Sequence, residues 1–218
     1  ADPLAYFGAA LRQALAEEGV AVSGEMRPAA DLPAGPWRRL AEHRSDLLTT
    51  VEVILKRSQN FYAESLVKTL GAELCGEGSW EAGLQVLAGY LDGIGIPPGD
   101  YELADGSGMS RGNRMSPRQL TWLLSYLHGR PLRREFIRSL SYSGEPELPW
   151  ERRLAKPPYR GNVFAKTGGL NGVSTLSGYA KGSSGRLYAF SILMNGAGER
   201  WRAKRAQDRI LRTLIDLG

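Results

Sequence analysis

The chain has 218 residues, 42% hydrophobic and 23% charged, a globular balance with enough material to bury a core. No run reaches the roughly 18 apolar residues of a membrane-spanning helix, and Ala1-Asp2-Pro3 lacks the basic start and apolar core of an export signal, so any such signal is expected upstream of Ala1 or already removed. The net charge of +5 comes from Lys and Arg spread along the chain without a zinc-finger, RNA-recognition or P-loop pattern, so nucleic acid is not an indicated partner.

Residues 4–18 predict a helix that stops at Gly19. Residues 19–24 alternate weakly and read as a short strand. Residues 27–36 form a Pro/Ala/Gly-rich connector, and residues 37–44 read as a second strand. Residues 49–56 and 60–74 predict two helices with a break near Ser58. The single cysteine, Cys75, ends the second of these apolar runs; it excludes an internal disulfide and is expected to be a buried, inert thiol. Ser79 can cap a further helix through Leu91. Ser116-Pro117-Arg118-Gln119 has the serine, proline and glutamine of a capping box ahead of the apolar run 120–127.

The end of the chain changes character. Residues 162–167, 173–180 and 186–194 read as three strands, and Gly182-Ser183-Ser184-Gly185 as the hairpin loop joining the last two. A final helix over 201–217 places Ala206, Ile210 and Leu214 on one stripe, with the basic stretch 200–212 as its solvated face. Short loops make neighbouring strands antiparallel. The expected fold is α+β, an antiparallel sheet with helices packed on it.

Three segments carry chemistry. Lys166-Thr167-Gly168-Gly169 follows a strand: the ammonium supplies charge, the hydroxyl a directional donor, and the glycines let a substrate backbone lie against the strand edge, which suits reading a carboxylate. Ser58-Gln59-Asn60 sits at the helix break, where a hydroxyl can relay a proton and an amide can pair with a peptide group; a plain helix cap is the alternative. Asp105-Gly106-Ser107-Gly108-Met109-Ser110-Arg111 has the composition of a tight loop.

Taken in order, Ser-x-Asn, Asp-Gly-Ser-Gly and Lys-Thr-Gly resemble the motifs of the penicillin-binding D-alanyl-D-alanine carboxypeptidases and endopeptidases. The flanks agree, among them Leu55 to Leu66, Gly112-Asn113, Leu170-Asn171-Gly172-Val173 and Ser191 to Gly196. The branch resembled is the low-molecular-mass class C group. The resemblance runs from about Asp2 to Leu217, so residues 1–218 are expected to be the C-terminal portion of a β-lactamase/transpeptidase-like catalytic domain. It implies Ser58, Asn60 and Lys166 as catalytic residues, and Thr167, Gly168, Gly169, Ser107 and Gly108 as substrate-binding residues. The family often has threonine where Gly169 stands.

The family's first motif, Ser-x-x-Lys, supplies the acylated serine and its lysine base. The one formal match, Ser65-Leu66-Val67-Lys68, falls inside the helix after Ser-x-Asn and is rejected as the nucleophile. The implied reaction is acyl transfer to water on peptidoglycan peptides, with β-lactam antibiotics acylating the same serine. The missing N-terminal segment of the same protein is then a required partner, the setting is periplasmic or otherwise extracytoplasmic, and no cofactor or metal is implied. A non-catalytic peptidoglycan-binding module and a serine β-lactamase or esterase on the same scaffold are the alternatives. His43 and His128 carry no catalytic pattern.

Overall fold

The computed structural model describes residues 2–25, 27, 35–36, 38–148 and 150–218. The chain divides into two compact units, Ala1–Arg44 and Ser45–Gly218. The first holds α1 (Pro3–Glu17). Its start is fixed locally: the Asp2 carboxylate accepts from Leu4 N–H at 2.9 Å, and Pro3 needs no hydrogen-bond partner at the first helical position. Gly19, at φ +78°, ends it. The two strands expected here do not form. Residues 19–25 and 38–44 are irregular; their weak alternation has no described partner segment to pair with, and a lone extended segment leaves its backbone groups unbonded. Most of the predicted connector, and Trp37, lie outside the described residues.

The second unit begins with helices α2 (Leu47–Arg57), α3 (Asn60–Cys75), α4 (Trp80–Gly93), α5 (Pro117–His128) and α6 (Arg133–Ser139). The sheet follows: β1 (Ser141–Tyr142), β2 (Val163–Leu170), β3 (Val173–Lys181) and β4 (Leu187–Asn195), before α7 (Arg200–Leu217). Strand order is β1-β2-β3-β4, each neighbour antiparallel. The capping box at Ser116 is formed in both directions. Sequence reading missed α6 and β1; at seven and two residues both are too short to show a period.

Alternation along the strands builds two cores. Val163, Ala165, Leu176, Ala180 and Phe190 face α7 and pack on Leu211 and Ile215. Phe164 and Tyr179 point the other way, to Leu124 of α5, Phe136 of α6 and Leu140. Each fully buried leucine or isoleucine contributes about 2 kcal/mol. The inward stripe of α7 is Ala203, Gln207, Leu211 and Ile215, not the predicted Ala206, Ile210 and Leu214; Ile210 is exposed. The misreading has a physical cause. A buried glutamine holds the middle of the true stripe, donating to Ser174 Oγ at 3.1 Å and accepting from Arg153 at 3.1 Å.

Helices α3 and α4 cross backbone to backbone. A Cβ on Gly83 would lie 2.0 Å from the Val67 carbonyl oxygen, and one on Gly71 would lie 2.8 Å from Gly83 N. Cys75 continues the Ala63, Val67, Gly71 stripe but falls one turn past this crossing, so it is exposed rather than buried as expected.

Candidate active site

Helix α2 ends because Ser58 turns left-handed, at φ 54° and ψ 45°; Gln59 is extended, and α3 starts at Asn60. The serine hydroxyl therefore projects from a corner instead of lying along a helix. The corner is pinned. Lys56, two residues earlier, pairs with Glu145 at 2.8 Å and with Glu52 at 3.0 Å. Glu145 is buried and its other oxygen accepts from Tyr142 N–H at 3.1 Å, so α2 is tied to the edge strand β1. Burial pulls the Lys56 ammonium down, but its hydrogen bonds to Glu145 and Glu52 outweigh that and hold it above its ordinary value.

Lys166 comes from the sheet. Val163 and Ala165 face the α7 core, so the alternate residue Lys166 faces the opposite side. Its Nζ donates to Ser58 Oγ and, at 3.0 Å, to the Thr167 carbonyl. Burial lowers its affinity for a proton below that of an ordinary lysine. The structure thus joins two sequence-predicted residues that are 108 positions apart. Asn60 is exposed at the first position of α3, two residues beyond Ser58.

Beyond Lys166 the strand is open. β1 pairs with β2 only at Phe164 and Ala165, so residues 166–170, paired with β3 on one edge, have no strand along the other edge among the described residues. Thr167 and Gly169 share one face of β2. Gly168 lies so close to β3 that a Cβ would meet Thr175 Oγ1 at 2.2 Å, which excludes any side chain there without a shift. Gly169 has a different neighbour: a Cβ would meet the Arg200 guanidinium at 2.7 Å.

The third predicted segment is a tight loop clamped to α3. Asp105 accepts from Gly108 N–H at 2.7 Å and from the Asn113 amide at 2.6 Å. Ser107 N–H donates to Glu64 at 3.0 Å and Gly106 N–H to the same carboxylate at 3.1 Å, with Trp80 Nε1 a third donor at 2.9 Å. Burial raises the Glu64 carboxyl, but hydrogen bonding, first from the Ser107 hydroxyl and then from Gly106 N–H, Trp80 and Ser107 N–H, prevails and holds it below the usual range. Arg111 donates to the Asn171 carbonyl at 2.7 Å, tying the loop to the β2–β3 turn. Ser107 and Gly108 therefore sit on a loop that bridges α3 and the tip of that hairpin. Sequence reading missed Glu64 as the anchor. Its signal was its place one helical turn after Asn60.

Lys68, of the rejected Ser65-Leu66-Val67-Lys68 match, lies 3.8 Å over the Trp80 ring. Its ammonium is engaged by an aromatic face on the α4 side of α3. Among the described residues no three His, Cys, Asp or Glu side chains gather as metal ligands, and no helix is long and apolar enough to cross a membrane.

Residues 1–215 match the model of the D-Ala-D-Ala carboxypeptidase 3 (S13) family. The chain belongs to this family. It is 38% identical over 204 residues to a D-alanyl-D-alanine carboxypeptidase of Actinomadura sp. (strain R39), covering 89% of this chain and 37% of that protein. Among solved structures it resembles penicillin binding protein 4 (dacB) of Haemophilus influenzae in complex with a novel β-lactam, with a TM-score of 0.80, 28% identity, and 97% of this chain and 51% of that one covered. A representative class A β-lactamase from Bacteroides cellulosilyticus shares the fold alone, at 17% identity and a TM-score of 0.56, over 78% of this chain and 62% of that one. The expected α+β, β-lactamase-like fold is the one observed. This S13 chain spans well under half the length of its Actinomadura relative.

Proposed function

We propose that these residues form the substrate-reading and proton-relaying half of a serine D-Ala-D-Ala carboxypeptidase or endopeptidase, with the acylated serine and its lysine supplied from outside residues 1–218. The substrate is a peptidoglycan peptide, so the setting is extracytoplasmic, and β-lactams acylate the same serine. The observation that carries this reading is the hydrogen bond from Lys166 Nζ to Ser58 Oγ across the α2–α3 corner. A lysine whose proton affinity burial has weakened, in contact with a hydroxyl, is a proton relay.

The substrate peptide lies along the open edge of β2, as an added strand does. Asn60 pairs with its peptide group. Thr167 and the Lys166 charge favour its terminal carboxylate. The nucleophile attacks the D-Ala–D-Ala carbonyl, the Gly169 N–H supplies half of the oxyanion hole, and Ser58 passes the proton to the leaving amine. Water then releases the acyl group. Gly106, Ser107 and Gly108 form the cleft edge held by Glu64.

Intact-mass spectrometry after benzylpenicillin tests this. The longer protein should gain one stoichiometric adduct on a serine outside these residues, and should release D-alanine from an acyl-D-Ala-D-Ala peptide. The 218-residue chain alone should stay unmodified. A stoichiometric adduct at Ser58 or Ser65 would overturn the assignment.

A further inference from the structure

Lys and Arg are spread along the chain, but their excess over the acids is not. Helix α7 carries six Arg and Lys against two Asp, a net +4, where the whole chain has +5. Four of the six form one row: Arg202, Arg205, Arg209 and Arg212, spaced three and four residues apart, are all exposed. The buried stripe is Ala203, Gln207, Leu211 and Ile215, so the row lies on the face turned away from the sheet and runs for about 15 Å. Helix energetics do not account for it. Like charges at these spacings repel, and a cation in the first turn opposes the macrodipole. A face that meets only water mixes both signs. Nor do the helix's own acids balance the row. Asp208 is held at 2.6 Å by Arg153, whose side chain is mostly buried, and Asp216 accepts from the Tyr159 hydroxyl at 3.1 Å. Arg202 pairs with Glu199 at 2.6 Å, but Arg205, Arg209 and Arg212 meet no carboxylate among the described residues. At the start of the row stands Trp201, 51% exposed, with the Arg202 and Arg205 guanidiniums 5.3 and 5.6 Å from its ring.

We infer that this face of α7 is a docking surface for an anionic phospholipid bilayer. Its charge complements a layer of phosphate headgroups, and each arginine near such a layer strengthens binding roughly fivefold. Trp201 supplies an amphipathic ring of the kind that settles at headgroup depth. The row runs along the convex outside of a helix, which a plane can meet but which cannot enclose a soluble polymer chain. The contact is peripheral, made by headgroup charge and one ring rather than by an inserted helix. It also sets an orientation. Val163 and Ala165 face α7, whereas Lys166 faces the opposite side of β2. A bilayer behind α7 leaves the Ser58–Lys166 corner pointing away from the lipid, toward the wall. That orientation matters only under the peptidoglycan reading; the docking itself does not rest on it.

Sedimentation of the 218-residue chain with vesicles of phosphatidylcholine containing one-third phosphatidylglycerol tests this, against vesicles of phosphatidylcholine alone. Binding is expected to the first only, and should fall steeply as salt is raised to about 0.5 M. Arg205→Gln, Arg209→Gln and Arg212→Gln together should weaken it about 100-fold, with thermal unfolding unchanged. A matched triple, Arg118→Gln, Arg133→Gln and Arg134→Gln, removes the same charge from exposed positions on α5 and α6, across the sheet, and should leave binding nearly intact. Tryptophan emission should shift to the blue on vesicle binding, and Trp201→Phe should abolish that shift. Equal losses in the two triples, equal binding to both vesicle types, or no binding overturns the inference. So does capture by soluble polyglycerol phosphate without vesicle binding, which would make the partner a wall polymer. In the longer protein the α7 triple should release D-alanine from a soluble peptide at the native rate; a fall there would place these arginines in the substrate site and overturn the docking role. Vesicle binding by a longer protein that releases no D-alanine would sink the carboxypeptidase reading and leave the docking surface standing.

Discussion

The left-handed conformation of Ser58 gives a stability test whose sign is set by geometry. Ser58→Ala and Ser58→Gly both remove the hydroxyl that Lys166 donates to, so the loss of that bond cancels when the two variants are compared. What remains is the backbone. At φ 54° an L-residue with a Cβ is strained by roughly 1–2 kcal/mol, and glycine is not. At an ordinary φ the order reverses, because glycine loses more chain entropy on folding, by roughly 0.5–1 kcal/mol. The same entropy term offsets part of the strain here, so Ser58→Gly should be the more stable variant by about 0.5–1 kcal/mol, which is about 2 °C in Tm for a chain of this size. Urea unfolding of the two variants measures it, with equal m values as the control. In the longer protein both should lose D-alanine release by roughly 100-fold or more, equally, since both lack the relay. If Ser58→Ala is as stable as Ser58→Gly, the corner is not left-handed in solution, and the aim of the hydroxyl at Lys166 is not built into the backbone.

Three further outcomes follow from the groups around that corner. Lys56→Met leaves Glu145 buried without its cation and should cost about 3 kcal/mol in urea unfolding, whereas Glu52→Gln, at the exposed partner, should cost well under about 1 kcal/mol. Glu64 is held below its ordinary value of 4.5, so its stabilisation is complete above that value and is lost as pH falls through the folded value. Protection of the Gly106 and Ser107 amides, taken relative to the unstructured exchange rate at each pH, should accordingly fall on acidification in the native chain, and already be low at neutral pH in Glu64→Ala. Lys166 is shifted the other way for a lysine: its folded value is lowered below 10.5, so the unfolded chain holds the proton more tightly. Stability should rise as pH climbs from the folded value toward 10.5, and Lys166→Met should flatten that part of the profile.

What the sequence revealed and what it hid divide along physical lines. The β2–β3–β4 run was legible because each strand carries its own apolar signal and its own glycine turn, with Gly172 and Gly185 at positive φ. The Ser116 cap was legible because all its partners lie within four residues. The inward face of α7 was not, because Gln207 is kept in the core by Ser174 and Arg153, residues 33 and 54 positions away. The same limit applies to the site. Ser58, Asn60, Lys166 and the 105–111 loop were picked out by residue type and order. The groups that hold them were not: Lys56–Glu145 spans 89 residues and Glu64–Ser107 spans 43.

That division bears on which substitutions reveal function. Removing Ser58 or Lys166 deletes the chemistry outright, so it cannot distinguish a relay from a carboxylate reader. The supports act on placement. Lys56 sets where α2 ends, the left-handed Ser58 sets where its hydroxyl points, and the alternation of β2 sets which face Lys166 uses. The Lys166–Ser58 contact requires all three. Loosening α2 through Lys56→Met should therefore depress D-alanine release by the longer protein while leaving Ser58 and Lys166 themselves in the chain. Turnover unchanged by Lys56→Met would show that the α2 corner keeps Ser58 on Lys166 without its tie to Glu145 and β1.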